Sequence, residues 1–163
     1  MMKNLQQLVQ QTIDWNIKVG NKTHPAFTME FEKDASKQAN LVMEEATETQ
    51  IASIGSDYLE MLDGACDVLF TLSYYIHLLE EAGFDFEGAY QAVIDNNSTK
   101  VFNSYYEACD SKEKLEARDD VEYFVETNVH NGLPFYVVRN QNGKVCKPID
   151  FVPVSLEKYI PKE

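Results

Sequence analysis

At 163 residues the chain can form one domain with a sizeable core, alone or with a small appendage, and is too short for two full domains. Its 14 Lys and Arg against 27 Asp and Glu give a formal net charge of -13. That charge argues against non-specific attachment to nucleic acid or an anionic membrane, and any anionic substrate needs a cation to enter. The longest apolar stretch, Val68 to Leu79, is broken by Thr71, Ser73 and His77 and is too short to span a bilayer. The first residues, with Lys3, Gln6, Gln7, Gln10 and Gln11, lack the apolar segment of a signal peptide, so a cytoplasmic protein is expected. Cys66, Cys109 and Cys146 fall at no zinc-ligand or redox spacing and read as reduced thiols, with Cys66 expected to pack inside an apolar helix.

In chain order, Asn4 to Val19 carries Leu5, Leu8, Val9, Ile13 and Ile17 near helical period and predicts a first amphipathic helix, ended by Gly20 to Pro25. A long second helix is expected from about Met29 to Ile54, with Phe31, Ala35, Leu41, Val42, Ala46 and Ile51 as its apolar stripe. A third, from about Asp57 to Ala82, is capped by Ser56 or Asp57 and stopped by Gly83. Apolar residues cover most of its circumference, so it is expected to be buried on nearly all sides, with Asp63 and Asp67 inside.

A fourth helix is expected over Phe86 to Thr99 and a short polar one over Ser111 to Arg118. The period then changes. Val121 to Val129 and Phe135 to Arg139 read as strands, and Asn140-Gln141-Asn142-Gly143 as a hairpin turn leading to Lys144 to Lys147, giving an antiparallel sheet of two or three strands. The segment from Phe151 to Ile160 reads as an extended piece followed by one helical turn capped by Ser155.

Chemistry concentrates in five carboxylates split about the predicted turn at Gly55-Ser56: Glu44, Glu45 and Glu48 before it, Asp63 and Asp67 after it. Glu48 lies seven residues before Gly55 and Asp63 eight after, Glu45 ten before and Asp67 twelve after. With roughly 1.5 Å rise per residue, an antiparallel helix pair brings them nearly level. Glu45/Glu48 and Asp63/Asp67 are i,i+3 and i,i+4 pairs, each sharing a helix face.

No Lys or Arg lies between Lys37 and Lys100 to neutralise them locally. Clustered acids of this kind are hard oxygen ligands suited to Mg²⁺ or Mn²⁺. Carboxylate-held magnesium typically serves phosphoryl or nucleotidyl hydrolysis. Di-iron chemistry would ask for Glu-x-x-His, and none of His24, His77 or His130 has a glutamate three residues earlier.

Glu44-Glu45-Ala46-Thr47-Glu48 followed by Asp63-Gly64-Ala65-Cys66-Asp67-Val68-Leu69 resembles the motif pair of the all-α nucleoside triphosphate pyrophosphohydrolases. This is the MazG-like group related to dimeric dUTPases and phosphoribosyl-ATP pyrophosphohydrolase. Asn97-Ser98-Thr99-Lys100 is similar to the Asn-x-x-Lys that ends the next helix there, and Gly143 to Leu156 is similar to the strand-and-tail extension of phage-encoded members. One departure stands out: the family pattern on the third helix is Glu-x-x-Asp, and the position three before Asp67 is Gly64, leaving Asp63 as the available carboxylate.

The resemblance implies a mainly α protein, a MazG-like four-helix bundle over 1–104 with a small antiparallel β appendage over 105–163. It implies that Glu45, Glu48, Asp63 and Asp67 hold Mg²⁺ or Mn²⁺, with Glu44 a ligand or the base that orients water, Glu45 and Glu44 thus being catalytic. A nucleoside triphosphate would be cleaved between its α and β phosphates to monophosphate and pyrophosphate. Asn97 and Lys100 would face sugar or phosphate, and Lys37 could reach phosphate. A homodimer or homotetramer would complete the bundle, in the host cytoplasm if phage-encoded. The rivals are a non-catalytic acidic interaction module, which predicts exposed acids, and a degenerate family member that binds nucleotide without cleaving it. Trp15, Phe27, Phe31, Tyr74 and Tyr75 are candidates for base stacking.

Overall fold

The computed structural model describes residues 5–162. It is mainly helical with a small antiparallel sheet toward the C-terminus, as expected. It divides into two compact units, Met1–Phe86 with Glu157–Glu163, and Glu87–Leu156. No helix among the described residues is long and apolar enough to cross a membrane.

The first unit holds α1 (Leu5–Lys18), α2 (Met29–Gly55) and α3 (Tyr58–Glu81), with α1 and α2 both packed on α3. The predicted first residue of α1, Asn4, lies outside the described residues. Thr28 caps α2 by accepting from the Phe31 N–H at 3.2 Å, and Asp57 caps α3 by accepting from the Leu59 and Glu60 N–H groups, each at 3.2 Å. These caps satisfy N–H groups that have no partner within the helix.

At the α2 to α3 turn the left-handed residue is Ser56 (φ 55), while Gly55 stays helical. Within this unit Ala52, Tyr74, Leu78 and Ala82 are buried. A 3-10 turn at Glu157–Tyr159 joins this unit through the Asp85 N–H donating to the Tyr159 carbonyl at 2.9 Å.

The expectation that α3 is buried on nearly all sides, with both aspartates inside, is corrected. Leu59 is 74% and Leu62 66% exposed, Asp63 and Cys66 are exposed, and Asp67 is only half-buried. Within this unit α1 and α2 cover one side of α3, and its opposite side keeps its apolar residues in solvent.

The second unit carries α4 (Phe86–Ser98), β1 (Val101–Phe102), α5 (Tyr105–Asp119), β2 (Tyr123–His130) and β3 (Leu133–Asn140). The sheet order is β1-β3-β2, all antiparallel, and α5 packs against it. Leu115, Tyr123 and Val138 form its core, with Phe102, Val125, Cys146 and Ile149 around them.

The polar helix begins at Tyr105, six residues earlier than predicted, because Ala108, Ser111 and Leu115 at helical spacing are its buried face. The β2 to β3 hairpin turns at Asn131-Gly132 (φ 51 and 78), the Asn-Gly pair that a two-residue hairpin loop requires. The predicted turn at Asn140 to Gly143 exists, but the chain after it makes a single bridge, Val145 to Arg139, in place of a strand.

Candidate active site

Glu45 on α2 and Asp67 on α3 line a cleft of about 540 Å³ in the first unit, a volume within the range of small-molecule sites. The Glu45 carboxyl is pushed above its usual range first by desolvation, then by the charge of Asp67, and then by Glu48, Glu44 and Asp63. All five predicted carboxylates therefore act on one locality, with Glu45 and Asp67 as its centre. Glu44, Glu48 and Asp63 are exposed, Glu45 and Asp67 half-buried.

The donor chemistry of this set fits a hard divalent cation, and mutual repulsion is the electrostatic condition that a cation relieves. Among the described residues no three His, Cys, Asp or Glu side chains are gathered closely enough to hold one ion. The three exposed carboxylates are flexible side chains at a solvent-facing rim, so the fit lies in donor type and convergence and not in a preformed cage.

The other walls combine aromatic and polar groups. The rings of Trp15 and Phe70 meet edge to face at 5.3 Å, with Trp15 half exposed to the cleft. Asn16 is buried, donates to the Thr12 carbonyl at 3.0 Å and accepts from the Asn21 amide at 2.7 Å. Gln38, also buried, donates to the Thr71 carbonyl at 2.9 Å, tying α2 to α3. The Tyr74 hydroxyl points to the Lys22 carbonyl at 3.5 Å, its pKa raised by burial and by the charge of Asp34. His24 lies 3.5 Å from the Asp34 carboxylate.

Lys37 lines the same cleft. Of the aromatic candidates, Trp15 and Tyr74 line it too, whereas Phe31 stacks on Phe84 at 5.8 Å. His77 packs beside the Tyr74 ring at 5.7 Å.

Asn97 and Lys100 fold as part of the second unit, with the Asn97 amide donating to the Val93 carbonyl at 2.9 Å and the Lys100 ammonium donating to the Asn97 side-chain oxygen at 2.5 Å.

Asn16, Asn21, Asp34 and Gln38 were not singled out from sequence. A signal did exist for two of them. Asn16 lies three residues after Ile13 and Gln38 three after Ala35 and three before Leu41, so each is a polar residue on an apolar stripe.

No curated protein and no solved structure matches the chain. The profile of the PRA-PH family, phosphoribosyl-ATP pyrophosphohydrolase, matches residues 6–97, more than half of the sequence and a span that includes the five carboxylates. The chain therefore belongs to the phosphoribosyl-ATP pyrophosphohydrolase family, within the MazG-like superfamily of nucleotide pyrophosphohydrolases.

Proposed function

We propose that the protein is a Mg²⁺-dependent hydrolase of a nucleoside triphosphate or a close derivative, cleaving between the α and β phosphates to release a monophosphate and pyrophosphate. The observation that carries this reading is Glu45. It lines the cleft, with its pKa raised by desolvation and then by four further carboxylates, in the segment that matches the family.

Glu45, Glu48, Asp63 and Asp67 would hold Mg²⁺, with Mn²⁺ as a substitute, and Glu44 would be a further ligand or the base for the attacking water. The metal would supply charge neutralisation at the phosphates and a nucleophilic water. Glu44, Glu48 and Asp63 are exposed, and their side chains would have to turn toward Glu45 and Asp67 for the set to hold an ion.

The residues of the cleft have distinct parts in this reading. Trp15 presents an aromatic face to a base, and the Asn16-Asn21 pair supplies amide groups suited to base or sugar edges. Lys37 serves phosphate from within the cleft.

The chain would act as a homodimer or homotetramer. Supporting this, Ile51, Ile54, Tyr58, Leu59 and Leu62, each at least 64% exposed, flank the α2 to α3 turn as an apolar surface that water would otherwise solvate. A non-catalytic acidic module is the second reading, favoured by the exposure of Glu44, Glu48 and Asp63.

The test is a panel of canonical and modified nucleoside triphosphates, with phosphoribosyl-ATP included, assayed with Mg²⁺ for monophosphate plus pyrophosphate. Turnover of one class supports the hydrolase. A fully inactive panel, together with no thermal shift on adding Mg²⁺ or Mn²⁺, supports the module.

A further inference from the structure

The second unit contains a cleft of about 450 Å³ whose charge is opposite to that of the chain as a whole. Lys100, Arg118, Lys144 and Lys147 line it, and no carboxylate does. The unit's other three cations are each paired with an acid: Lys112 with Glu116 at 2.9 Å, Lys114 with Asp110 at 2.6 Å and Arg139 with Glu126 at 2.7 Å. Of the four in the cleft, only Arg118 has a carboxylate partner among the described residues, Asp119 at 2.6 Å.

Three lysines thus line one concavity with no carboxylate partner among the described residues. Two of them are held near a single ring. Lys147 stands 4.6 Å and Lys100 5.9 Å from the centre of Phe151, so the ring's negative face partly offsets their repulsion.

The backbone that presents these groups is fixed by hydrogen bonds. The Lys144 N–H donates to the Asn140 side-chain oxygen at 3.0 Å, the Arg139 guanidinium donates to the Gly143 carbonyl at 2.6 Å, and the Cys146 N–H donates to the Val138 carbonyl at 2.7 Å. Burial of Cys146 pushes its thiol pKa up.

We propose that this cleft is a metal-independent binding site for a diphosphate group, carried by a nucleotide or free as pyrophosphate. Charge sets the size of the anion. One phosphate carries about -1.5 to -2 and leaves an ammonium unmatched, whereas two linked phosphates match all three. The absence of any lining carboxylate removes the need for a bridging cation, in contrast to the acidic rim of the first unit. Val145 and Ile149, both half-buried, provide an apolar wall on which a nucleoside can lie.

The test is isothermal titration calorimetry of the full chain in EDTA, with inorganic pyrophosphate, ADP and AMP as separate probes. Chelation leaves the carboxylate rim repulsive to anions, so success or failure here is independent of the hydrolase reading.

One saturable site per chain is expected for pyrophosphate and ADP, with AMP about tenfold weaker. Equal affinity for the two diphosphates identifies the free anion as sufficient, and tighter ADP identifies a nucleotide; either supports the site. Lys144 and Lys147 are exposed side chains, so Lys144→Ala/Lys147→Ala should leave the fold intact and weaken both diphosphates by about tenfold or more. Lys147→Glu should abolish binding, while Glu48→Gln should leave it unchanged. No saturable metal-free binding, binding that survives Lys147→Glu in a folded protein, or binding lost in Glu48→Gln would each overturn the proposal.

Discussion

Gly64 of α3 lies against Thr49 of α2 with no room for a side chain: a Cβ at position 64 would run into the Thr49 hydroxyl and stand 3.2 Å from the Thr49 Cα. The hydroxyl is itself held, donating to the Glu45 carbonyl at 2.7 Å. The two helices that carry the carboxylates therefore touch through this glycine, three residues before Asp67, where the family pattern has glutamate. With that position consumed by helix contact, the second acid of α3 stands at Asp63, exposed and one residue earlier. This contact lies about one helical turn from both Glu45 and Asp67.

Gly64→Ala should destabilise the protein by about 1–3 kcal/mol, since the added carbon meets rigid backbone as well as a side chain. Urea denaturation gives the figure. Thr49→Ala removes the hydroxyl but not the Cα and should rescue only part of the loss. An unchanged midpoint for Gly64→Ala would mean that the helices do not approach as described.

Asp67→Asn and Glu48→Gln should each lower hydrolysis by more than the roughly 10–100-fold that loss of a metal ligand's outer partner costs, with the far-ultraviolet circular dichroism unchanged. Both should also reduce the thermal shift on adding Mg²⁺. Wild-type turnover in either variant would remove that residue from the site.

The raised Glu45 pKa has a consequence for the metal-free protein. A carboxyl that binds its proton more tightly when folded costs stability above its folded pKa, and that cost disappears as pH falls below the unfolded value of 4.5. In EDTA, Glu45→Gln should therefore raise the melting temperature at neutral pH and leave it nearly unchanged at pH 4. With Mg²⁺ the order should reverse. A variant less stable than wild type in EDTA at neutral pH would contradict the repulsion among these acids.

Asp119 behaves in the opposite sense. Hydrogen bonds from Arg118 and from the Tyr123 hydroxyl, the latter at 2.6 Å, hold its pKa at about 2, below the usual 3.8. Its contribution to the second unit is present above pH 3.8 and is lost as pH falls toward 2. Asp119→Asn should flatten this stretch of the acid-unfolding curve followed by tyrosine signals in the near ultraviolet. An identical curve for the variant would show that the triad does not stabilise the fold.

Leu62→Glu, placing a charge in the exposed apolar surface of α3, should shift the protein toward monomer in light scattering coupled to size exclusion. If wild type is already monomeric at micromolar concentration, the surface is not an interface between copies.

Helices α2 and α3 were legible within a residue or two, α2 from its apolar stripe and α3 from its stripe together with Asp57 as a cap and Gly83 as a stop. The carboxylate set was legible for the same reason, since i,i+3 and i,i+4 spacing translates directly into a shared face. What the sequence could not reveal was which face of α3 this chain covers. An all-round apolar helix looks identical whether its second side meets its own chain or another, so Cys66 and Asp63 were expected inside and stand exposed. The cleft walls were harder still, because Asn16 and Gln38 gain meaning only from partners brought by folding, Asn21 and Thr71. The Asn131-Gly132 hairpin was overlooked despite a strong local signal, and with it the length of β3.

The most direct measurement is phosphorus NMR of the protein with Mg²⁺ and a nucleoside triphosphate that it turns over. The account predicts that monophosphate and pyrophosphate appear in equal amounts, and that Asp67→Asn produces neither. Nucleoside diphosphate and orthophosphate as the products, or unaltered turnover in Asp67→Asn, would contradict it.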